Sequence, residues 1–398
     1  MNNQQAIEWS SKFLMDFTTR YPITLVRGEG VKVWDIDGKE YLDFTSGISV
    51  VSLGHSHPKV VGAIREQAAT LAHVSNYFHI PQQIELAKLL VEHSFAERVY
   101  FGNSGAEAVE AAIKLARRYA SENWASDRYE IITMRGGFHG RTLGALSATA
   151  QEKYQLGFGP MLPGFKYVPY NNLSAVEHAT DARTAAILVE PIQGEGGIKV
   201  PDHDYLAGLR KLCDATGTLL IFDEVQTGVG RTGMLWAYQH WGVEPDLMTV
   251  AKALANGFPI SAVLAKEKVA AAFTPGSHGT TFGGNPLATA VGCVTLGTML
   301  EMKLPERAAR TGTYLKDKLE GLKTTSSFVK EVRGKGLLIG VECKGPVANL
   351  IAQCREAGLL LLTAGENVAR FAPPLIVEEP TIDRAVGIFE TALARGAT

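Results

Sequence analysis

The middle of the chain alternates short runs rich in strand-forming residues with helical patterns. These runs, which indicate buried strands or strand-to-loop junctions, occupy residues 98–101, 129–134, 185–190, 218–225, 246–254 and 260–265. An alanine-rich helical pattern at 104–120 follows the first run, and a second one at 204–216 follows the third. Because parallel strands need long crossover connections, which are usually helices, this alternation predicts an α/β fold. We expect a mainly parallel sheet with helices on both faces.

The two ends of the chain follow a different pattern. Helical stretches and short strand candidates alternate there, at 306–323, 328–333, 337–342, 346–357, 367–371 and 380–394. Near the N-terminus, Asp37-Gly38 stands between two alternating apolar runs, which is a strong hairpin signal. We therefore expect a large domain at 46–299 and a smaller α+β domain built from 1–45 together with 300–398.

Charge and composition exclude several classes of protein. Lys and Arg number 39 against 41 Asp and Glu, so the basic excess of a nucleic-acid-binding protein is missing. The chain has no apolar run long enough to span a membrane, and its first residues, MNNQQAIEWSSKF, lack the features of a secretory signal. The widely spaced cysteines argue against a disulfide framework and a metal knuckle; they are Cys213, Cys293, Cys343 and Cys354. We expect a cytoplasmic enzyme.

A glycine-rich stretch, Gly228-Val229-Gly230-Arg231-Thr232-Gly233, matches the GxGxxG pattern of dinucleotide-binding loops. That fingerprint needs its first glycine in the turn directly after a strand. Here a polar pentapeptide, 223–227, intervenes, and no clear helix follows. A nicotinamide-dependent dehydrogenase therefore remains only as an alternative.

Two other motifs are weak as well. His55 and His57 have no third ligand nearby and no HExxH pattern, so no metal site is expected. Gly102-Asn103-Ser104-Gly105 is one residue short of a GxSxG nucleophile loop, and no acid–histidine order supports a catalytic triad.

Ser104, Gly105 and Ala106 lie between a strand candidate and the 104–120 helical pattern. A helix N-terminus presents free backbone N–H groups and the positive end of the helix dipole, which together bind phosphate. Small residues let a phosphate approach the backbone, and Ser104 adds a hydroxyl donor. Alternatively, Ser104 caps the helix and Glu107 completes a capping box. Both interpretations remain open on this segment alone.

Asp223 closes the apolar run Leu219–Phe222, where a carboxylate needs a partner such as a protonated heterocyclic nitrogen. Lys252 lies farther along among small and apolar neighbours, a setting that lowers the pKa of a lysine and makes its amine nucleophilic. An amine, a carboxylate for a pyridine nitrogen and a helix N-terminus for a phosphate are the three groups that hold pyridoxal phosphate. Together they are far more specific than any one of them.

Three further residues fit the same cofactor. Phe138 lies in a glycine-rich loop after a strand candidate, where an aromatic ring can stack on a pyridine face. Arg141 and Arg370 stand beside apolar loop residues, and guanidinium groups bind carboxylates with two hydrogen bonds. Taken singly, either arginine is more simply a structural ion pair.

From about residue 20 to the C-terminus, the chain resembles the class III (ornithine/GABA-type) aminotransferases of pyridoxal-phosphate fold type I. Six segments carry the resemblance, in chain order: Asn103-Ser104-Gly105-Ala106-Glu107-Ala108, Phe138-His139-Gly140-Arg141-Thr142, 190–197 (EPIQGEGG), 223–228 (DEVQTG), Lys252 and 278–286 (HGTTFGGNP). The resemblance implies the fold, a large domain with a mainly parallel sheet of the seven-stranded type plus a smaller α+β domain. It also implies the cofactor pyridoxal 5'-phosphate and the chemistry of amino transfer. It also identifies GxGxxG as the stretch after the pyridine-binding aspartate.

The resemblance implies a role for each site residue. Lys252 would bind the cofactor covalently and then move protons as general base and acid, while Asp223 would keep the pyridine nitrogen protonated. The other cofactor-binding residues it implies are Ser104, Gly105 and Ala106 at the phosphate, Phe138 and Val225 on the ring faces, Gln226 near the ring's 3-oxygen, and Glu224. Thr281 would reach the phosphate from a partner subunit, so we expect a homodimer with shared active sites.

The resemblance also implies the substrates, an ω-amino donor and 2-oxoglutarate, with N2-acetylornithine as the favoured donor. Arg141 would bind the α-carboxylate of that donor, and Arg370 the α-carboxylate of 2-oxoglutarate or glutamate. Glu195 would pair with Arg370 when the donor is bound, and Thr280 would touch the substrate. Succinylornithine, succinyl-diaminopimelate, ornithine and 4-aminobutyrate remain alternative donors.

Overall fold

The computed structural model describes residues 1–395, which contain fifteen strands in three sheets. In chain order the strands are β1 Leu25–Glu29, β2 Lys32–Asp35, β3 Glu40–Asp43, β4 Arg98–Gly102, β5 Glu130–Met134, β6 Phe165–Val168, β7 Thr184–Val189, β8 Leu219–Asp223, β9 Leu247–Val250, β10 Ser261–Ala265, β11 Val329–Lys335, β12 Leu338–Cys343, β13 Leu359–Leu360, β14 Leu362–Thr363 and β15 Val368–Phe371.

The central sheet has seven strands in the order β4-β10-β9-β8-β7-β5-β6. Neighbouring strands from β9 to β6 run parallel, and only β10 runs antiparallel to its neighbours. Every residue of β5, β7, β8, β9 and β10 is buried, because helices cover both faces of the sheet. The prediction of a mainly parallel α/β sheet is confirmed.

The helices are Asn3–Phe13, Pro58–Thr70, Pro81–Glu92, Gly105–Asn123, Leu143–Ala148, Glu152–Gln155, Leu173–Ala179, Tyr205–Thr216, Glu267–Ala270, Pro286–Glu301, Leu304–Gly321, Ala348–Glu356 and Glu379–Ala394, with 3-10 turns at Ala237–His240 and Lys252–Ala255. Within residues 1–395, no single helix is long and apolar enough to cross a membrane. Only the consecutive helices Pro286–Glu301 and Leu304–Gly321, which are bent relative to each other, reach that length and apolar composition when taken together.

The two chain ends share a sheet. The hairpin of β2 and β3 forms around Gly38, whose φ is +86°, and β3 then pairs in parallel with β13 near the C-terminus. A third sheet, in the order β11-β12-β15-β14, lies entirely in the C-terminal part. The division into domains 46–299 and 1–45 with 300–398 remains a proposal, and residues 396–398 lie outside the described residues.

A left-handed turn follows β3. Four consecutive residues, 46–49, have φ between +49° and +69°, although three of them are not glycine. The Asp43 carboxylate accepts hydrogen bonds from the backbone N–H groups of Thr45 and Ser46 (2.9 and 3.0 Å), and the Ser46 hydroxyl donates to the carbonyl of Ala372 (2.6 Å). These bonds compensate the backbone strain and tie the N-terminal segment to the end of β15.

Candidate active site

A cavity of about 320 Å³ opens beyond the carboxyl ends of the central strands. Eight of the residues proposed from the sequence line it: Ser104, Gly105, Ala106, Phe138, Asp223, Val225, Gln226 and Lys252. Strand ends bring them together, since Asp223 ends β8 and Lys252 follows β9. Ligand sites in open α/β sheets lie at such an edge.

Ser104 forms the capping box, with its hydroxyl donating to the Glu107 carboxylate (3.1 Å), and this box is compatible with anion binding by the backbone at the start of the helix. The Ser104 hydroxyl accepts from the N–H of Glu107 (3.3 Å), and the Glu107 carboxylate accepts from the N–H of Ser104 (2.7 Å). The first N–H groups of the helix, on Gly105 and Ala106, have no partner inside the helix by its geometry. They remain available to an anion at the edge of the cavity.

Asp223 is 4% exposed and lies in a network of donors. One carboxylate oxygen accepts from the Thr249 hydroxyl and the Val225 N–H, both at 3.0 Å, and the other lies 2.7 Å from Nδ1 of His139. Burial lowers the pKa of His139, but the hydrogen bond and the charge of Asp223 outweigh that effect and raise it. His139 is therefore a hydrogen-bond partner for the buried Asp223 carboxylate.

Lys252 follows β9 with φ at +44°, so its backbone is left-handed at the cavity wall. Burial lowers the pKa of its amine to about 8, from an ordinary value of 10.5, although Glu195 and Asp223 act in the opposite direction. A substantial fraction of the amine is therefore neutral near physiological pH, which a nucleophile and a proton carrier both require.

Arg370 is 3% exposed and lies at the end of β15. Its guanidinium donates to the carboxylate of Glu195 and to the side-chain oxygen of Gln226 (3.1 Å). Burial raises the pKa of Glu195, but the charge and hydrogen bond of Arg370 outweigh it and hold that pKa below its ordinary value. The proposed substrate arginine is thus paired with the proposed switching carboxylate.

Arg141 lies outside the lining of the cavity and is exposed. Its guanidinium carbon is 3.9 Å from the ring centroid of Tyr154 and 5.5 Å from that of Phe138. Since Phe138 lines the cavity, Arg141 stands at the cavity edge, free to meet a carboxylate from solvent.

Glu224 lies outside the lining of the cavity. Its carboxylate accepts from the backbone N–H groups of Ala237 and Tyr238 (2.6 and 2.8 Å) and from the Thr227 hydroxyl (3.3 Å). Successive side chains in extended backbone point to opposite sides, so the side chain next to Asp223 supports the 237–238 turn, and its role in cofactor binding stays a prediction.

Thr280 and Thr281 line a second, larger cavity of about 970 Å³ in the same chain. The Thr280 hydroxyl accepts from the N–H of Gly283 (3.1 Å) and from the side chain of Asn103 (3.4 Å), which lines the first cavity. Thr281 is exposed. Within one chain, Thr281 therefore does not line the cavity that Lys252 and Asp223 line.

Two residues that the sequence analysis passed over also line the site, His139 and Glu190. The Glu190 carboxylate accepts from the N–H groups of Phe138 and Gly194, both at 2.9 Å, and burial raises its pKa to about 7. A signal existed, because Glu190 closes the apolar run 185–189 as Asp223 closes 219–222.

The donor set fits pyridoxal phosphate. Gly105 is needed because a Cβ there would lie 2.8 Å from Cγ1 of Val225, so the start of the helix and the wall beside the ring site are in close contact. Nε2 of His139 is buried without a hydrogen-bond partner among residues 1–395, and it belongs to the histidine that supports Asp223. A helix N-terminus, an ion-paired carboxylate and a lysine amine face one cavity, as the phosphate, ring nitrogen and aldehyde of this cofactor require.

Known proteins resemble this chain over nearly its whole length. The chain is 51% identical to the acetylornithine aminotransferase of Caldanaerobacter subterraneus subsp. tengcongensis over 98% of this chain and 99% of that protein. It is 49% identical to the acetylornithine aminotransferase of Methanocaldococcus jannaschii over 98% of each.

Solved structures of aminotransferases superpose on nearly the whole chain. The ornithine aminotransferase of Toxoplasma gondii superposes with a TM-score of 0.96 at 36% identity, covering 99% of this chain and 96% of that one. The acetylornithine aminotransferase of Elizabethkingia anophelis superposes with a TM-score of 0.90 at 37% identity, covering 100% of each. The model of the family described as aminotransferase class-III matches residues 16–393, and the chain therefore belongs to that family.

Proposed function

We propose that this enzyme transfers the distal amino group of N2-acetyl-L-ornithine to 2-oxoglutarate, giving N-acetyl-L-glutamate 5-semialdehyde and L-glutamate, a step of arginine biosynthesis. The pairing of buried Arg370 with Glu195 supports an exchange between two differently charged substrates at one site. The names of relatives about half identical to this chain support acetylornithine as the donor.

Pyridoxal phosphate supplies an electrophilic aldehyde and a ring that takes up the electron pair of the breaking C–H bond. Lys252 would move the proton: its Nζ atom would take it from the substrate carbon that bears the amino group and release it again in the second half of the 1,3-proton shift. With a pKa of about 8, this amine both accepts and releases a proton near neutral pH.

Asp223 and His139 act on the side of the cavity where the ring nitrogen would bind. The Asp223 carboxylate, fixed by Thr249 and Val225 and supported by His139, would hold a proton on that nitrogen. A positive ring nitrogen next to a buried carboxylate satisfies both charges, which burial of either alone would not.

Arg370 distinguishes the two halves of the reaction. Glutamate and 2-oxoglutarate carry a carboxylate next to the reacting carbon, which would displace Glu195 from the guanidinium. Acetylornithine reacts at its distal end, where it has no carboxylate, so Glu195 would remain on Arg370 and neutralise it. The α-carboxylate of acetylornithine would then meet Arg141 at the cavity edge.

Two finer features belong to the same proposal. A homodimer would bring Thr281 of one subunit to the phosphate end of the other, and Thr280 toward the substrate. A cytoplasmic location is supported by four free cysteines, which suit a reducing compartment.

The donor is tested by measuring kcat/KM for acetylornithine, succinylornithine, succinyl-diaminopimelate, ornithine and 4-aminobutyrate with 2-oxoglutarate fixed, since specificity is the ratio of these values. We expect the highest value for acetylornithine. A higher value for ornithine would instead favour the activity named for the T. gondii structure.

A further inference from the structure

The GxGxxG stretch at 228–233 does not line the active-site cavity, yet it contains one of the largest fully buried side chains, Arg231. Gly230 and Gly233 have φ of +85° and +95°, and a Cβ on Gly230 would lie 3.0 Å from Leu375. The glycines thus let this stretch turn tightly and approach the segment after β15. These glycines allow the stretch to pack closely against the segment after β15, and Arg231 lies buried in the interior.

Arg231 connects three distant segments through its guanidinium. Nη1 donates to the carbonyl oxygens of Pro373 (2.5 Å) and Leu337 (3.1 Å), and Nη2 donates to the hydroxyl of Ser52 (3.3 Å). The backbone carbonyl of Arg231 also accepts from the N–H of Leu337 (3.0 Å). One side chain therefore fixes the N-terminal segment, the turn between β11 and β12, and the segment that follows β15.

This arrangement is costly for a charged group. All three acceptors of the guanidinium are neutral, and burial lowers the pKa of Arg231 to about 9, although the charge of Asp43 acts in the opposite direction. A buried cation without a carboxylate in its hydrogen-bond set is a poor source of stability. Its geometry, several donors held in one plane, is what a smaller or apolar side chain lacks.

The segment after β15 depends on such a donor. Pro373 and Pro374 have no N–H, so between Ala372 and Leu375 the backbone can be held only through carbonyl oxygens. Ala372 donates to the carbonyl of Phe44 (2.8 Å) and Leu375 to that of Ser52 (2.8 Å). The bond from Arg231 to Pro373 fills the gap between these two attachments, three residues from Arg370.

We propose that Arg231 is a positioning residue for Arg370: by holding the carbonyl of Pro373 against Ser52 and Leu337, it fixes the end of β15 and so the place where Arg370 meets a carboxylate. The inference rests on the proposed function, in which Arg370 binds the α-carboxylate of glutamate and 2-oxoglutarate.

The test compares the two half-reactions of the Arg231→Lys holoenzyme. Lysine keeps the charge but cannot reach all three acceptors from one plane, so the strand end should shift by a fraction of an ångström. We expect the ratio of second-order rate constants, glutamate over acetylornithine, to fall about tenfold, since small misplacements of a binding group cost large factors in rate. The KM for 2-oxoglutarate should rise with it. An unchanged ratio, or equal loss in both half-reactions, would overturn the proposal.

Arg128 offers a matched control. It also donates to two carbonyls and one hydroxyl, those of Thr184 (2.9 Å), Thr216 (2.9 Å) and Thr218 (3.2 Å). These acceptors lie at the starts of β7 and β8, the sheet edge opposite Asp223. Arg128→Lys should leave the ratio of the half-reactions unchanged; a fall like that of Arg231→Lys would show a general effect of losing an arginine clamp and overturn the proposal.

A milder variant keeps the test decisive if Arg231→Lys does not fold. Ser52→Ala removes the hydroxyl bound to Nη2 and keeps Arg231 and the backbone bond to Leu375. The ratio should fall in the same direction by about threefold, as expected for one hydrogen bond; no change would contradict the proposal. A wild-type enzyme that rejects acetylornithine would refute the donor assignment alone, because the KM for 2-oxoglutarate can be measured with whichever donor it accepts.

Discussion

Glu224, next to the aspartate of the site, is a buried carboxylate that supports the backbone. Burial raises its pKa from 4.5 to about 7, and the hydrogen bonds from Ala237, Tyr238 and Thr227 lower it without cancelling that effect. An acid with a raised pKa binds more protons folded than unfolded between its two pKa values. Its contribution to stability therefore falls as pH rises through that range.

We expect the free energy of unfolding of the wild type, minus that of Glu224→Gln, to decrease between about pH 4.5 and pH 7, by up to about 3 kcal/mol. Glutamine cannot ionise, so the variant lacks this pH-dependent contribution to stability. The loss of one hydrogen-bond acceptor lowers stability equally at every pH and does not change the slope. Urea unfolding at a series of pH values measures the difference. Parallel pH profiles for the two proteins would contradict the expectation.

Glu342→Gln is the control, because the hydrogen bond from Lys330, assisted by that from Arg333, holds the pKa of Glu342 below its ordinary value. The contribution of such a group is lost only as pH falls below about 4.5. The same difference for this variant should be flat across the range in which Glu224→Gln changes.

The roles of individual residues could be predicted where a charged side chain stands in buried surroundings, because such a charge needs a specific partner or function. Asp223 could be proposed from its position after an apolar run and Lys252 from its small and apolar neighbours, and both residues line the cavity. The environment of Glu224 could not be predicted from the sequence. The direction of its side chain depends on hydrogen bonds from Ala237 and Tyr238, which form only after folding. The role of His139 could not be predicted from the sequence, because it depends on a contact with Asp223, 84 residues away.

The helix Gly105–Asn123 shows how an element shapes the site. Gly105 is its first residue, and a Cβ there would lie 2.8 Å from Cγ1 and 3.3 Å from Cγ2 of Val225. We expect Gly105→Ala to push Val225 toward the ring site and weaken pyridoxal phosphate binding about tenfold, because a packed wall does not absorb an added methyl group without strain. Equilibrium dialysis of the cofactor measures this.

Gly62 provides the matched comparison. It lies within the helix Pro58–Thr70, and a Cβ there would meet no atom within 4 Å. Gly62→Ala should leave cofactor affinity unchanged and raise stability by about 0.5–1 kcal/mol, because alanine is the better helix former. Equal cofactor affinity in Gly105→Ala and the wild type would show that the contact with Val225 does not shape the site.

Elements were predictable to the extent that their residues are buried on both sides. The strands β5, β7 and β8 are buried at every residue and lie within one or two residues of their expected bounds. The edge strand β6, Phe165–Val168, was missed, since three of its four residues are only half-buried and its sequence lacks a continuous apolar run. The left-handed turn at 46–49 depends on Asp43 and Ala372, which no local pattern reveals.

At the scale of the whole molecule, one chain leaves three large aromatic side chains exposed in the segments around the second cavity. Tyr77, Phe78 and Phe282 are 94%, 67% and 60% exposed, and Tyr77 lines that cavity together with Thr280 and Thr281. Exposed apolar surface is often buried in an interface between subunits, and the proposed homodimer would bury it. A twofold dimer buries the same patch on both subunits, which would place each Thr281 near the partner's phosphate end.

Hybrid dimers test this sharing directly. In a hybrid of the wild type with the double variant Lys252→Ala, Thr281→Ala, only the wild-type subunit retains the reactive lysine. If Thr281 acts across the interface, that one competent site receives alanine from its partner. It should then bind pyridoxal phosphate about three- to tenfold more weakly than in a hybrid made with Lys252→Ala alone, as expected for the loss of one hydrogen bond to a charged group. If Thr281 acts within its own subunit, the sites that retain Lys252 should bind the cofactor equally in the two hybrids.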